Sequence, residues 1–268
     1  MMPYMIRAFV VFCLLLIGMS PAEHAVFTKK SADQGGLLSL LGANTDRIEA
    51  HFFRAHEVGL YIVDEGDGQP RYGSLEAAMK KERCLAGVNG GYFGADVART
   101  PIGLVRHAGV TISPFSAKGF TVAGVVYDTG ETIRMERSSR LRAPLESMRE
   151  AIQGGPFLLE QGRAIQGLEK TKKASRTFIA TDGSGRWCIA VTSPLTLHEL
   201  AVWLAQKGSM GGFRVYSALN LDGGSSSAFW DAETSLPGFK AVRNYVGVRP
   251  RTVIGGSAAG RGNTPPAR

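Results

Sequence analysis

The chain has 268 residues, 44% of them hydrophobic and 20% charged, which excludes a collagen-like fibre and a chain too polar to bury a core. Its formal net charge of +8 favours anionic partners such as phosphates and envelope polymers, although many soluble proteins are basic without such a partner. The 34 glycines follow no period and imply many tight turns.

The N-terminal 22 residues read as an address. Residues 1–7 carry one positive charge, Ala8–Met19 are apolar apart from Gly18, and Ser20-Pro21-Ala22 supplies small residues for cleavage after Ala22. This order predicts a secretory signal peptide over 1–22. The apolar run is shorter than the roughly 20 residues that span a bilayer, so no stable membrane span is expected after cleavage. The mature protein is then exported, either periplasmic or secreted. It retains Cys84 and Cys188, which an oxidising compartment allows to pair and which serve equally well as two buried thiols.

Residues 23–45 read as a polar lead-in, 46–256 as one domain, and 257–268 as a disordered tail. In chain order, strands are expected over Ile48–Arg54 and Val58–Asp64, then a helix over Ser74–Arg83, then strands over Leu85–Asn89, Ile102–Arg106, Phe120–Tyr127 and Glu131–Met135. A helix is expected over Pro144–Ile152, followed by a strand from Gly154 through Leu159. Asp182-Gly183-Ser184-Gly185 marks a hairpin between Thr177–Ala180 and Trp187–Thr192. The clearest helix is Leu197–Lys207, with Thr196 and Glu199 as a capping box and an apolar stripe of Leu197, Leu200, Ala201, Leu204 and Ala205. Val215–Leu221 and Thr252–Ile254 complete the strands. The pattern predicts an α+β fold: mixed, largely antiparallel sheets with a few flanking helices in a single domain.

Two strands run into a polar residue followed by paired glycines: Asn89-Gly90-Gly91-Tyr92 and Asp222-Gly223-Gly224-Ser225-Ser226. Such a turn lets backbone approach a ligand and can aim N–H groups at an anion, with the preceding carboxylate or amide facing the bound group. A tight turn is the plainer reading of either motif alone. Gly154-Gly155-Pro156 is a third site of this kind. Arg176 and Thr177 precede a strand, where a guanidinium and a hydroxyl can grip a phosphate; the plainer reading is a surface charge beside Lys170, Lys172 and Lys173. The nucleophile elbow, the P-loop and the dinucleotide-binding glycine pattern are all absent, as is zinc-ligand spacing. The histidines are scattered, and spacing alone does not place His107 in a site.

Asn89-Gly90-Gly91-Tyr92-Phe93, Thr100-Pro101-Ile102-Gly103-Leu104, Gly154-Gly155-Pro156, Arg176-Thr177 and Leu221-Asp222-Gly223-Gly224-Ser225-Ser226, in that order, resemble the phosphodiester glycosidase family. Ser225 stands where that family often has a third glycine. The resemblance implies hydrolysis of an anionic sugar-1-phosphodiester without a cofactor. It implies Asp222 as the proton-handling carboxylate, Arg176 as the phosphate clamp, and Asn89 as the group that orients a phosphate or sugar oxygen. Gly90, Gly91, Gly155, Thr177, Gly223, Gly224, Ser225 and Ser226 would line the substrate, and Tyr92 would stack on or bond to the sugar. With one carboxylate at a motif position, cleavage at the sugar carbon and cleavage at phosphorus both remain open, and a hard cation on Asp222 and Asn89 is neither required nor excluded. The competing reading is a non-catalytic binding module for anionic envelope glycans. Nucleic acid is not an expected partner, because the chain lacks interleaved basic and aromatic residues. The sequence carries no signal of oligomeric state.

Overall fold

The structure, a computed structural model, describes residues 22–30 and 45–251. Their strands are β1 (Ala22–Lys30), β2 (Thr45–Arg54), β3 (Val58–Asp64), β4 (Ala86–Asn89), β5 (Val105–His107), β6 (Val110–Ser113), β7 (Gly124–Asp128), β8 (Ile133–Arg137) and β9 (Glu150–Gly154). They continue with β10 (Phe157–Glu160), β11 (Arg163–Ala164), β12 (Thr177–Thr181), β13 (Arg186–Thr192), β14 (Ser217–Asn220), β15 (Phe229–Asp231), β16 (Ser235–Leu236) and β17 (Asn244–Pro250). Two α-helices, α1 (Leu75–Lys81) and α2 (Leu197–Ala205), complete the regular structure of the described residues, apart from short 3-10 turns.

The strands form three antiparallel sheets, ordered β1-β2-β13-β12-β14-β10-β11, β16-β15-β4-β17-β3 and β6-β5-β9-β7-β8. One core joins all three: Ile179, Ile189 and Leu219 from the first, Leu60, Val88 and Val246 from the second, and Val126 and Ile152 from the third. The seven-stranded sheet is also covered on its other face. There Phe178, Ala180, Cys188 and Ala190 meet Leu197, Leu200, Ala201 and Leu204 of α2. Burial on both faces explains why β12 and β13 read as nearly continuous apolar runs, with alternate side chains in different cores. The capping box starts α2 as expected: Thr196 Oγ1 accepts from Glu199 N–H (3.0 Å), and Glu199 Oε2 accepts from Thr196 N–H (2.8 Å). Ser74 caps α1, whose Leu75, Ala78 and Met79 are buried.

β3 is an edge strand of the second sheet, and the third sheet satisfies its free donors. Leu60 N–H donates to Asp128 Oδ2 (2.9 Å) and Ile62 N–H to Glu150 Oε2 (3.0 Å). Arg251 completes the joint by donating to both carboxylate oxygens of Asp128. Side-chain carboxylates thus close an edge that backbone would otherwise leave open.

The elements depart from the sequence pattern at several points. Pro144–Ile152 is not a helix: Leu145–Ser147 form a single 3-10 turn and β9 follows. β9 is wholly buried between β5 and β7, so its apolar spacing serves two sheet faces rather than one helix stripe. The strand foreseen at Ile102 begins at Val105, after the chain bends at Gly103 with φ of +90°. Phe120–Val122 form a 3-10 turn ahead of β7. β1 occupies part of the expected lead-in and pairs along β2. The last described strand is β17, whereas Thr252–Ile254 lie outside the described residues, as do residues 1–21 of the expected signal peptide and the tail at 257–268. Cys84 and Cys188 are both buried and unpaired.

Candidate active site

β4 belongs to the second sheet and β14 to the first, yet their C-terminal reversals touch. Asn89 Nδ2 donates to the Asp222 carbonyl (2.8 Å), and Asp222 N–H donates to the Gly90 carbonyl (3.2 Å). The two polar–Gly–Gly motifs therefore form one structure, although 133 residues separate Asn89 from Asp222.

Asn89 is fully buried. Its Oδ1 accepts from Thr177 Oγ1 (2.6 Å) and from Ala228 N–H (3.1 Å). Both ends of the amide are engaged by protein, so Asn89 ties the two loops to each other and to β12. Thr177 is likewise fully buried, and its hydroxyl bonds Asn89 and Ser227 Oγ (3.1 Å), locking the floor of the site.

The glycines permit close chain contact. A Cβ on Gly90 would lie 1.9 Å from Asn244 Oδ1, and one on Gly155 2.1 Å from the Phe120 carbonyl. Gly90 N–H donates to the Asn244 carbonyl (2.8 Å), Gly91 N–H to Asn244 Oδ1 (2.9 Å), and Gly155 N–H to the Asn220 carbonyl (2.7 Å). Gly223 N–H donates to Asp222 Oδ1 (2.9 Å) and Gly224 N–H to the Ser175 carbonyl (2.7 Å). The expected anion nest is therefore not formed by these amides, whose hydrogen atoms hold the loops together. Positive charge at the site comes from side chains.

Arg176 supplies one such charge. Its side chain is half-buried; Nε donates to the Leu195 carbonyl (2.8 Å) and Nη2 to the Lys172 carbonyl (2.6 Å). Its backbone passes beside Gly223. The anchoring fixes the guanidinium plane, with Glu169 Oε2 4.0 Å from Nη2. Burial lowers the Arg176 pKa, against the opposing influence of Tyr92 and Glu169, and an arginine remains charged throughout the working range.

Asp222 is half-buried, and burial raises its carboxyl above the ordinary aspartate value. The Ser226 hydroxyl, the Gly223 N–H and the charge of Lys240 pull it down without cancelling that effect. Ser226 is itself buried, so its hydroxyl faces Asp222. Ser225 is exposed, and its carbonyl accepts from Phe239 N–H (2.8 Å). Tyr92 Oη donates to the Gly155 carbonyl (2.9 Å) and accepts from Asn220 Nδ2 (2.8 Å). Burial and then the Asp222 charge push its phenol up, while Arg176 pulls it down. Tyr92 thus lies within electrostatic reach of both Asp222 and Arg176 and stays neutral.

Asn220, Asn244 and Lys240 escaped the sequence reading. Asn220 directly precedes the Leu221-Asp222 motif, and Asn244 opens an apolar strand; a buried amide at a strand end next to a glycine loop was the available signal. His107 lies elsewhere, on β5 beside Glu150 (3.1 Å). Among the described residues no group of three or more His, Cys, Asp or Glu side chains has metal-ligand geometry, and no helix is long and apolar enough to cross a membrane.

No curated protein matches the sequence at a significant level. Among solved structures, the catalytic domain of zebrafish N-acetylglucosamine-1-phosphodiester alpha-N-acetylglucosaminidase, auto-inhibited by pro-peptide, is similar in fold. It has a TM-score of 0.60 at 14% identity, covering 87% of this chain and 84% of that one. A hypothetical protein from Synechocystis is similar with a TM-score of 0.55 at 14% identity, covering 86% of this chain and 64% of its own. The family model for phosphodiester glycosidase matches residues 82–249, a span that takes in both glycine loops, Arg176 and Asp222. The chain belongs to the phosphodiester glycosidase family.

Proposed function

We propose that this protein is an exported hydrolase that cleaves a sugar-1-phosphodiester on an envelope or surface glycan. The observation that carries the reading is a half-buried carboxylate with a raised pKa, Asp222, held on a loop floor shared by two sheets, with Tyr92 within electrostatic reach of both it and Arg176. A raised carboxyl is a stronger base when ionised, which suits proton abstraction from water. The fixed guanidinium of Arg176 meets the phosphodiester charge, an electrostatic contribution that needs no rearrangement during reaction.

In the proposed step a water oxygen attacks the anomeric carbon and its proton passes to Asp222. The bond from that carbon to the phosphate oxygen breaks, and the phosphomonoester leaves with the electron pair. Arg176 holds the negative charge that accumulates on it, and Asp222 returns its proton to solvent. The leaving phosphate is a weak base, so one carboxylate suffices. Export is supported by the N-terminal charge, apolar run and small-residue order of the sequence.

The experiment incubates the protein with an aryl or nucleotide sugar-1-phosphodiester and follows free sugar and phosphomonoester. Stoichiometric release of both is the expected result. Saturable binding with no product at high protein concentration replaces this reading with that of a glycan-binding module.

A further inference from the structure

β17 runs from the candidate active site to a second, basic cleft. At its first residue, Asn244 holds Gly90 and Gly91. Its last residue, Pro250, lines a cleft of about 220 Å³ together with Arg149, Arg249 and Arg251. The strand has seven residues, so the cleft stands roughly 20 Å along it from the glycine loops, at about 3.3 Å per residue. The two carboxylates of the cleft are buried and already engaged. Asp128 is held by the Leu60 N–H and Arg251, and Glu150 by the N–H groups of Ile62 and Ala108 and by His107. Arg251 is also spent on the carbonyls of Ala55 and Gly130. Arg149, by contrast, is exposed. Arg249 lays its guanidinium 3.9 Å from the centre of the Tyr61 ring and gives one N–H to the Glu82 carbonyl (3.2 Å), which fixes the fork at the surface. A neighbouring depression shares Arg249 and Pro250 and adds Lys81 and Arg83, both exposed. Its acidic residue, Glu82, accepts the hydroxyls of Tyr61 (2.8 Å) and Tyr72 (2.6 Å). Residues 252–268, which follow Arg251, contribute two arginines and no acidic side chain. One face thus gathers cationic heads whose acidic neighbours are taken, and it concentrates part of the net charge of +8.

We infer that this face is a second, non-catalytic site that holds a phosphate-bearing glycan chain, with Arg149 and Arg249 gripping one phosphate and Lys81 and Arg83 meeting the next. Guanidinium forks match phosphate oxygens, and the two lysine and arginine heads beyond them extend the positive track along the surface. The separation from Asp222 gives the site its use. A chain held here keeps its other phosphodiesters at high local concentration near the reacting centre, whereas a single small anion gains nothing from the second contact. The choice of a glycan over other polyanions rests on the hydrolase reading; the site itself stands on its charge and geometry.

The test is affinity electrophoresis through gels containing phosphomannan or the same mannan stripped of phosphate, run on Asp222→Asn protein so that binding is read without turnover. Retardation by phosphomannan alone, weakening as salt is added, is the expected result. Adding Arg149→Gln and Arg249→Gln should raise Kd about tenfold or more, as for the loss of two charge-assisted contacts. Arg163→Gln with Arg214→Gln removes the same charge from exposed positions elsewhere and should leave Kd unchanged. Arg149→Gln alone, at an exposed position, should raise Kd about threefold and carries the test if the double variant folds poorly. Equal weakening by the two pairs overturns the site in favour of general basicity, as does equal retardation by both mannans or by neither. Sedimentation with vesicles of phosphatidylcholine and phosphatidylglycerol, without retardation by phosphomannan, overturns the glycan in favour of a membrane surface. All these outcomes leave the hydrolase reading standing, and a wild-type protein that releases no sugar from a small diester yet binds phosphomannan through Arg149 and Arg249 loses that reading and keeps this site.

Discussion

Asn89 and Asp222 occupy equivalent places in sequence, each a polar residue between an apolar strand and a glycine pair, yet burial gives them different work. Asn89 is sealed in and ties three segments together, while Asp222 remains half-exposed with a raised pKa. Because the Asp222 carboxylate must be ionised to accept a proton, the acid limb of kcat/KM is expected to lie above the ordinary aspartate pKa of about 3.9. Its folded-state pKa exceeds its unfolded one, so ionisation of Asp222 costs stability as pH rises through that interval. Asp222→Asn should therefore raise Tm at neutral pH while abolishing turnover; a lowered Tm in a thermal melt would contradict this account of burial. Arg176 owes its placement to two backbone carbonyls that fit the guanidinium fork. Arg176→Lys should lower kcat/KM by about 10²-fold or more, because a lysine replaces that fork with a point charge. Steady-state kinetics with retention of wild-type Tm would check it.

At the scale of elements, the sequence pattern located the capped helix α2, the hairpin β12–β13 and strand β3 because each declares itself locally. Thr196 and Glu199 form a capping box, Asp182-Gly183-Ser184-Gly185 turns the chain, and Asp64 ends an apolar run. β9 and β17 were hidden. β9 carries Glu150, an acidic residue that a strand reading disfavours, and its carboxylate is needed by the Ile62 N–H of another sheet. β17 carries Gly247, which looks like a break in a strand; a Cβ there would stand 2.6 Å from Cys84 Sγ, so packing from α1 and its C-terminal turn imposes the glycine. The carboxylate joint between sheets is equally invisible in sequence. Asp128→Ala leaves the buried Leu60 N–H unpaired and removes the ion pair of the half-buried Arg251, which keeps its bonds to the Ala55 and Gly130 carbonyls. It should destabilise the fold by about 3–5 kcal/mol, read as a shifted midpoint in urea denaturation with the slope unchanged.

For the whole molecule, the site exists because three sheets share a core and bring the ends of β4 and β14 together. The motif residues were legible one by one. Which of them face a ligand was not, since that depends on Asn244 of the neighbouring strand β17 engaging Gly91 and on Thr177 reaching from the first sheet to Asn89. The outer strand β1 is fastened in a similar long-range manner: His24 Nδ1 and His51 Nδ1 lie 2.6 and 3.2 Å from Asp231 Oδ2. Burial alone would raise the Asp231 carboxyl, but the two histidines and the N–H groups of Glu233 and Thr234 bring it down to about 2. This contribution is complete above the unfolded value of 3.8 and is lost as pH falls toward 2. It amounts to roughly 2 kcal/mol. Thermal melts from pH 5 to pH 2 should show Asp231→Asn flattening part of the acid destabilisation seen in wild type.

The account stands on Asp222 activating water against a sugar-1-phosphodiester. Its most direct test is hydrolysis in ¹⁸O-labelled water by wild type and Asp222→Asn, with mass analysis of both products. The expected result is label in the released sugar with wild type and background release with Asp222→Asn. Label in the phosphomonoester would move the attack to phosphorus, and equal product from the two proteins would contradict the role given to Asp222.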